Sequence, residues 1–148
     1  MLLDLFHPLR VRVGVSLRDK HAALMEIASL LTMPEGTVNE EAVCEVLLER
    51  ERLASTGVGS NVAIPHGRSD DFDELRAAVA ICPGGVDFGA VDNLPVNIIV
   101  GIIGPRAMPE KHLAALAGIS RVLRNDATRA ALIRVSSDEE AFRLLTQT

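Results

Sequence analysis

The run Val96-Asn97-Ile98-Ile99-Val100-Gly101-Ile102-Ile103 is rich in β-branched residues and shows no polar alternation. Such side chains are stiff at χ1 and pack well on a pleated surface, and a run with no wet face reads as a central strand buried on both sides. A second apolar run of strand length, Arg76 to Pro83, lies just upstream. Gly84-Gly85 and Asp92-Asn93-Leu94-Pro95 supply turns between the two.

Helical periodicity surrounds these strands. Ala22, Leu24, Ile27, Ala28, Leu30 and Leu31 recur at helical spacing, with Ser16 and Asp19 offering a cap and Pro34 a stop. The turn Pro34-Glu35-Gly36 leads to a second helix from near Asn39, placing Val43, Val46, Leu47 and Arg50 on one face and Glu45, Glu49 and Arg52 on the other. A third helix is expected from about Pro109 to about Asn125, with His112, Leu116, Ile119 and Leu123 on one side. Asp126 and Ser137 offer N-caps for two short closing helices. Val11 to Val15 alternates as a strand does, Val62-Ala63-Ile64 reads as a short strand ended by Pro65, and Asp70 to Glu74 as an acidic surface turn. Strands and helices mix without strict βαβ alternation, so the expectation is an α/β sandwich with a mixed sheet. The 148 residues fit one domain spanning 1–148.

Composition narrows the function. A net charge of −5 without a basic run argues against nucleic acid, and the absence of Trp and Tyr, with only four Phe, makes stacking of bases or sugars a poor explanation. No apolar stretch is long enough to cross a bilayer, and the start Met1-Leu2-Leu3-Asp4 lacks a signal-peptide layout, so the expectation is a cytoplasmic protein. Cys44 and Cys82 sit in apolar surroundings without metal-ligand spacing and read as small buried hydrophobes.

The chemistry concentrates in Arg50 to Arg68. His66 stands between Pro65 and Gly67, downstream of the small hydroxyl and glycine loop Ser55-Thr56-Gly57-Val58-Gly59. A neutral imidazole nitrogen can attack a phosphoryl group, provided an acceptor holds the proton on the other nitrogen. A backbone carbonyl is one such acceptor. Donors around the ring can then stabilise the equatorial phosphoryl oxygens. Arg50, at the end of the apolar stripe, can lie beside the loop or bond the last helix carbonyls. His112, taken alone, reads as a packing or surface residue. The glycines match neither a Walker-type loop nor a dinucleotide fingerprint, so no nucleotide or other cofactor is implied. A zinc site on His66 and His112 would lack a third ligand with suitable spacing.

Together, Arg50-Glu51, Ser55-Thr56-Gly57-x-Gly59 and Ala63-Ile64-Pro65-His66-Gly67 resemble the enzyme IIA domain of the fructose, mannitol and nitrogen-regulatory type in the bacterial phosphoenolpyruvate-dependent phosphotransferase system. Phe88 to Val96, and Pro105 followed by His112-Leu113 and Leu116, extend the resemblance over nearly the whole chain. It implies a mixed sheet with helices on both faces. It also implies His66 as the phosphoryl acceptor, loaded by HPr or its nitrogen-branch counterpart, with Arg50 and His112 flanking the ring and Ser55, Thr56, Gly57 and Gly59 forming a phosphate-binding loop. Downstream partners would be regulatory target proteins or a permease IIB component, and the single-domain layout favours the regulatory form. Where the family commonly has a second glycine, this chain has Ser60-Asn61, and asparagine tolerates the left-handed conformation such a loop needs.

Overall fold

A computed structural model describes residues 2–147. The central strand of the sheet is β6 (Val96–Gly104). It pairs antiparallel with β5 (Arg76–Val86) along one edge, and parallel with both β3 (Val62–Ala63) and β4 (His66–Arg68) along the other. Two short strands complete the mixed sheet: β1 (Val11–Arg12) runs parallel to β5, and β2 (Gly57–Gly59) antiparallel to β3.

Alternation along β6 shows why its sequence has no polar face. Ile99 and Ile103 enter one apolar cluster, and Ile98, Val100 and Ile102 enter another. The first cluster is closed by α2 (Lys20–Leu31) and α3 (Glu40–Leu53), through Leu24, Ile27, Leu31 and Leu47. The second is closed by α4 (Pro109–Leu123), α5 (Asp126–Arg134) and α6 (Asp138–Thr146), through Ile119, Leu123, Leu132 and Leu145. A short α1 (Leu2–Leu5) packs beside α4 and α6. Each such fully buried aliphatic side chain contributes on the order of 2 kcal/mol relative to exposure. Helices therefore cover both faces of a mixed α/β sheet, as expected. Cys44 and Cys82 are both buried and free.

The caps follow the side-chain chemistry. Asp19, Asn39 and Ser137 each accept a backbone N–H from the first turn of α2, α3 and α6. For α5 the cap is Asn125, which accepts from Thr128 N–H, and Asp126 is the first helical residue, where its charge still suits the dipole. The Val11–Val15 strand shortens to Val11–Arg12; Gly14 has φ +72° and turns the chain, although Val15 N–H still bonds Ile81 O.

The largest departures lie around Pro65. The expected loop Ser55 to Gly59 is partly strand β2, and the chain resumes sheet pairing immediately after Pro65. His66 aligns with Ile102 and Arg68 with Gly104, so the histidine opens an edge strand rather than following the last one. Ser60 and Asn61 both have positive φ, 58° and 68°, as a two-residue type I′ hairpin turn requires. Asn61 Nδ2 donates to Pro95 O, and Asp92 accepts from Ser60 N–H, so the segment after Phe88 braces this turn.

Candidate functional site

At the β4 edge of the sheet, the two helical layers meet around an open cavity of about 610 Å³. Helix α3 contributes Val46, Glu49, Arg50 and Leu53, strand β4 contributes His66, Gly67 and Arg68, and α4 contributes His112, Leu113 and Leu116. Gly67 permits this closeness: a Cβ there would lie 2.4 Å from Val46 Cγ1. Arg50 stands one helical turn beyond Val46, so the tight contact carries its guanidinium to the histidine.

The His66 ring is held from behind. Its Nδ1 lies 2.8 Å from Ile64 O. A carbonyl only accepts, so Nδ1 carries the proton and the neutral ring keeps its lone pair on Nε2. Burial holds the ring below the ordinary histidine pKa; the Ile64 bond and Glu51 pull it up, while Arg50 and Arg68 push it further down.

His112 is only 4 % exposed, and the ring centroids of His66 and His112 are 5.6 Å apart. Its Nδ1 is enclosed and has no hydrogen-bond partner among the described residues. Burial lowers its pKa to about 4, with the charges of His66 and Arg68 acting in the same direction. The ring is therefore neutral near pH 7. An orphaned buried N–H is rarer than an orphaned acceptor, which favours the tautomer with the proton on Nε2.

Both readings of Arg50 hold at once. It lines the cavity, and its Nη1 donates to Ala54 O, 2.9 Å away, at the end of α3. It is only half-buried, however, and the stripe Val43-Cys44-Leu47 ends instead on Glu51. The inward-facing residue at the end of α3 is thus the glutamate.

The structure brings Arg50, His66 and His112 together, and leaves Ser55, Thr56, Gly57 and Gly59 out of the cavity lining. The Ser55 hydroxyl and the Thr56 and Gly57 donors serve the protein itself. Ser55 Oγ donates to Phe88 O and accepts from Gly57 N–H, and both the amide and the hydroxyl of Thr56 donate to the Glu51 carboxylate. Gly57 also lets Ala90 approach, since a Cβ there would lie 2.8 Å from Ala90 Cβ.

Sequence reasoning missed two cationic neighbours. Arg68 stands two residues after His66, hence on the same side of β4, and Arg106 lies across the opening, where it pairs with Asp70 at 3.2 Å. The i, i+2 spacing of His66 and Arg68 would have revealed the first, had the segment after Pro65 been read as a strand. Leu53 and Leu113, 81 % and 68 % exposed, form apolar ground beside the opening. Among the described residues, no group of three His, Cys, Asp or Glu is placed to hold a metal ion, and no helix is long and apolar enough to cross a membrane.

Comparison with known proteins places this geometry. The chain is 36 % identical to the nitrogen regulatory protein of Bradyrhizobium diazoefficiens, over 95 % of this chain and 91 % of that one. It is 34 % identical to the fructose-specific EIIA component of Haloferax volcanii, over 79 % of this chain and 77 % of that one. The crystal structure of nitrogen regulatory protein IIA-Ntr from Neisseria meningitidis superposes with a TM-score of 0.90 at 29 % identity, covering 97 % of this chain and 98 % of the other. Residues 4–148 match the model of the phosphoenolpyruvate-dependent sugar phosphotransferase system EIIA 2 family, and the chain belongs to that family.

Proposed function

We propose that the protein carries a phosphoryl group on His66 Nε2, received from HPr or its nitrogen-branch counterpart. The observation that carries this reading is the 2.8 Å bond from His66 Nδ1–H to Ile64 O, which selects the tautomer with a free Nε2 lone pair inside a cationic cavity. In the transfer, that lone pair forms the new N–P bond while the N–P bond of the donor phosphohistidine breaks, its electron pair returning to the donor ring. No proton has to move. The His66 proton stays on Nδ1, and the ring gains positive charge opposite the phosphoryl oxygens.

Arg50 balances charge on those oxygens, and neutral His112 donates a single hydrogen bond from Nε2. Ser55, Thr56 and Gly57 support the histidine from beneath instead of binding phosphate, because both hydroxyls and the Thr56 and Gly57 amides are already paired within the protein, and Gly59 lies outside the cavity lining.

The regulatory branch is the better reading of the downstream step. Its support is the likeness to nitrogen regulatory proteins, at higher identity and over more of both chains than the fructose-specific relative. Phosphorylation then acts as a switch: adding about −1.5 to −2 charges between exposed Leu53 and Leu113 favours partners with arginine and penalises acidic or apolar ones. The alternative, passage to a permease IIB component, uses the same histidine.

Incubation with phosphoenolpyruvate, enzyme I and HPr, followed by intact mass measurement, tests the carrier reading. An acid-labile phosphate adduct is expected on the wild type and not on His66→Ala; no adduct under conditions that load HPr refutes it. Membranes containing a fructose permease then test the branch. Rapid discharge with sugar phosphate formed would assign the chain to transport.

A further inference from the structure

We propose that Glu51 is a positioning residue for His66, acting through Thr56 and Ile64. Its geometry is independent of the phosphoryl-carrier reading; its consequence for transfer rests on that reading.

Glu51 occupies an unfavourable place for a carboxylate. Its side chain is 4 % exposed and it lies in the last turn of α3, where the helix dipole repels negative charge. A buried charge persists only when it is fully partnered. Here the partners are Lys20 Nζ at 2.9 Å and the amide and hydroxyl of Thr56. Burial raises the carboxyl pKa, but the bonds from Thr56 and Lys20 outweigh it and hold the group ionised.

From this carboxylate, three hydrogen bonds lead to the imidazole, and each has one possible donor. Thr56 N–H donates to Glu51 at 3.0 Å, Ile64 N–H donates to Thr56 O at 2.9 Å, and His66 Nδ1–H donates to Ile64 O at 2.8 Å. The anchor on Thr56 fixes where β2 begins, the bond from Ile64 N–H to Thr56 O fixes the position of Ile64, and the Ile64 carbonyl selects the His66 tautomer.

Electrostatics act in the same sense. The charged and titratable groups around His66 are Glu49, Arg50 and Glu51 from α3, Arg68 from β4, His112 from α4 and Arg106 across the opening, the last paired with Asp70. Lys20 of α2 faces Glu51 from the far side and lies over the Phe88 ring, 5.2 Å from its centroid. Glu49 is exposed, so Glu51 is the buried anion that offsets the positive charge gained by the His66 ring when its Nε2 bonds to phosphorus.

A plain structural brace would make different predictions. Nuclear magnetic resonance titration of His66 in the full chain is compared for wild type, Glu51→Gln and Lys20→Met. Glu51→Gln is expected to lower the His66 pKa and to mix the neutral tautomers. Lys20→Met, which leaves the Glu51 charge less neutralised, is expected to raise it. A brace would lower thermal stability in both variants and leave the His66 titration unmoved, and that result, or shifts of the same sign, overturns the proposal. If Glu51→Gln does not fold, Lys20→Met decides alone: a raised pKa supports the proposal and any other result overturns it.

In transfer from phosphorylated HPr, Glu51→Gln is expected to be about tenfold slower at saturating donor, with the half-saturating donor concentration unchanged. Failure of the wild type to accept phosphate from HPr would refute the carrier reading, while the titration would still decide on Glu51.

Discussion

The imidazole of His112 lies obliquely against that of His66, with the ring planes inclined at 59° and the His112 Nδ1 sealed inside the protein. Burial first, then the charges of His66 and Arg68, oppose protonating His112, which explains its pKa of about 4. The unfolded chain, with an ordinary histidine, binds this proton already near pH 6.5. Between those values the unfolded state holds more protons, so the stability contributed by keeping His112 neutral is complete above about pH 6.5 and declines as pH falls toward 4. His112→Gln is expected to flatten the stability profile across that window, by on the order of 2 kcal/mol. Urea unfolding at pH 7 and pH 4.5 checks it; an equal pH dependence in the two proteins contradicts a neutral buried ring.

The contact between Gly67 and Val46 sets how closely α3 approaches His66. A Cβ on residue 67 would meet Val46 Cγ1 at 2.4 Å, and a valine in a helix has little χ1 freedom with which to retreat. Gly67→Ala is expected to destabilise the fold by about 1–3 kcal/mol and to slow phosphoryl transfer by displacing Arg50. Val46→Ala removes the opposing methyl groups. The double variant Gly67→Ala/Val46→Ala should regain more stability and transfer rate than the single changes predict together. Strict additivity in a double-mutant cycle would mean that the glycine serves some other purpose.

Local patterns recorded much of this fold. The residues of β6 announced a doubly buried strand because each of its faces meets a helical layer, and three of the four polar helix caps follow from side-chain type at the boundary. What escaped depends on remote partners. Pro65 has no N–H to donate, so it reads as an end, yet its carbonyl accepts from Ile102 N–H and the chain stays in the sheet. Glu51 contradicts the rule that glutamate stays wet, and only Lys20 and Thr56, brought from other elements, make its burial tolerable. Arg50 and Glu51 differ by 100° around a helix, and sequence spacing alone could not decide which one faced inward. His112 was legible through family resemblance only; its relation to His66 is created by α4 packing against β6 on the far face of the sheet.

Ser60 carries a backbone conformation that most side chains resist. Its φ of 58° belongs to the left-handed region, and its side chain is exposed. Asparagine adopts that region more readily, while keeping the backbone N–H that donates to Asp92. Ser60→Asn is expected to stabilise the protein by about 0.5–1 kcal/mol, seen as a rise in Tm, with phosphoryl transfer unchanged. A lower Tm would indicate that the serine hydroxyl supports the turn.

Arg50 joins two tasks that substitution should separate. Its bond to Ala54 O lies at an exposed helix end, where a single hydrogen bond is worth about 0.5–1.5 kcal/mol. Its place beside His66 matters only when charge appears on the phosphoryl oxygens, and interactions made in the transition state act on rate rather than on folding. Arg50→Ala is therefore expected to lower stability by no more than about 1.5 kcal/mol and to slow transfer from phosphorylated HPr by roughly 10²-fold. Lysine keeps the charge and loses the planar fork that can hold Ala54 O and an oxygen anion together, so Arg50→Lys should recover part of the rate. Rapid-quench transfer measured beside urea unfolding separates the two effects. A slow Arg50→Ala variant whose stability loss matches the whole rate loss would reduce Arg50 to a helix cap, whereas a stable, slow variant partly rescued by lysine assigns it to the phosphoryl group.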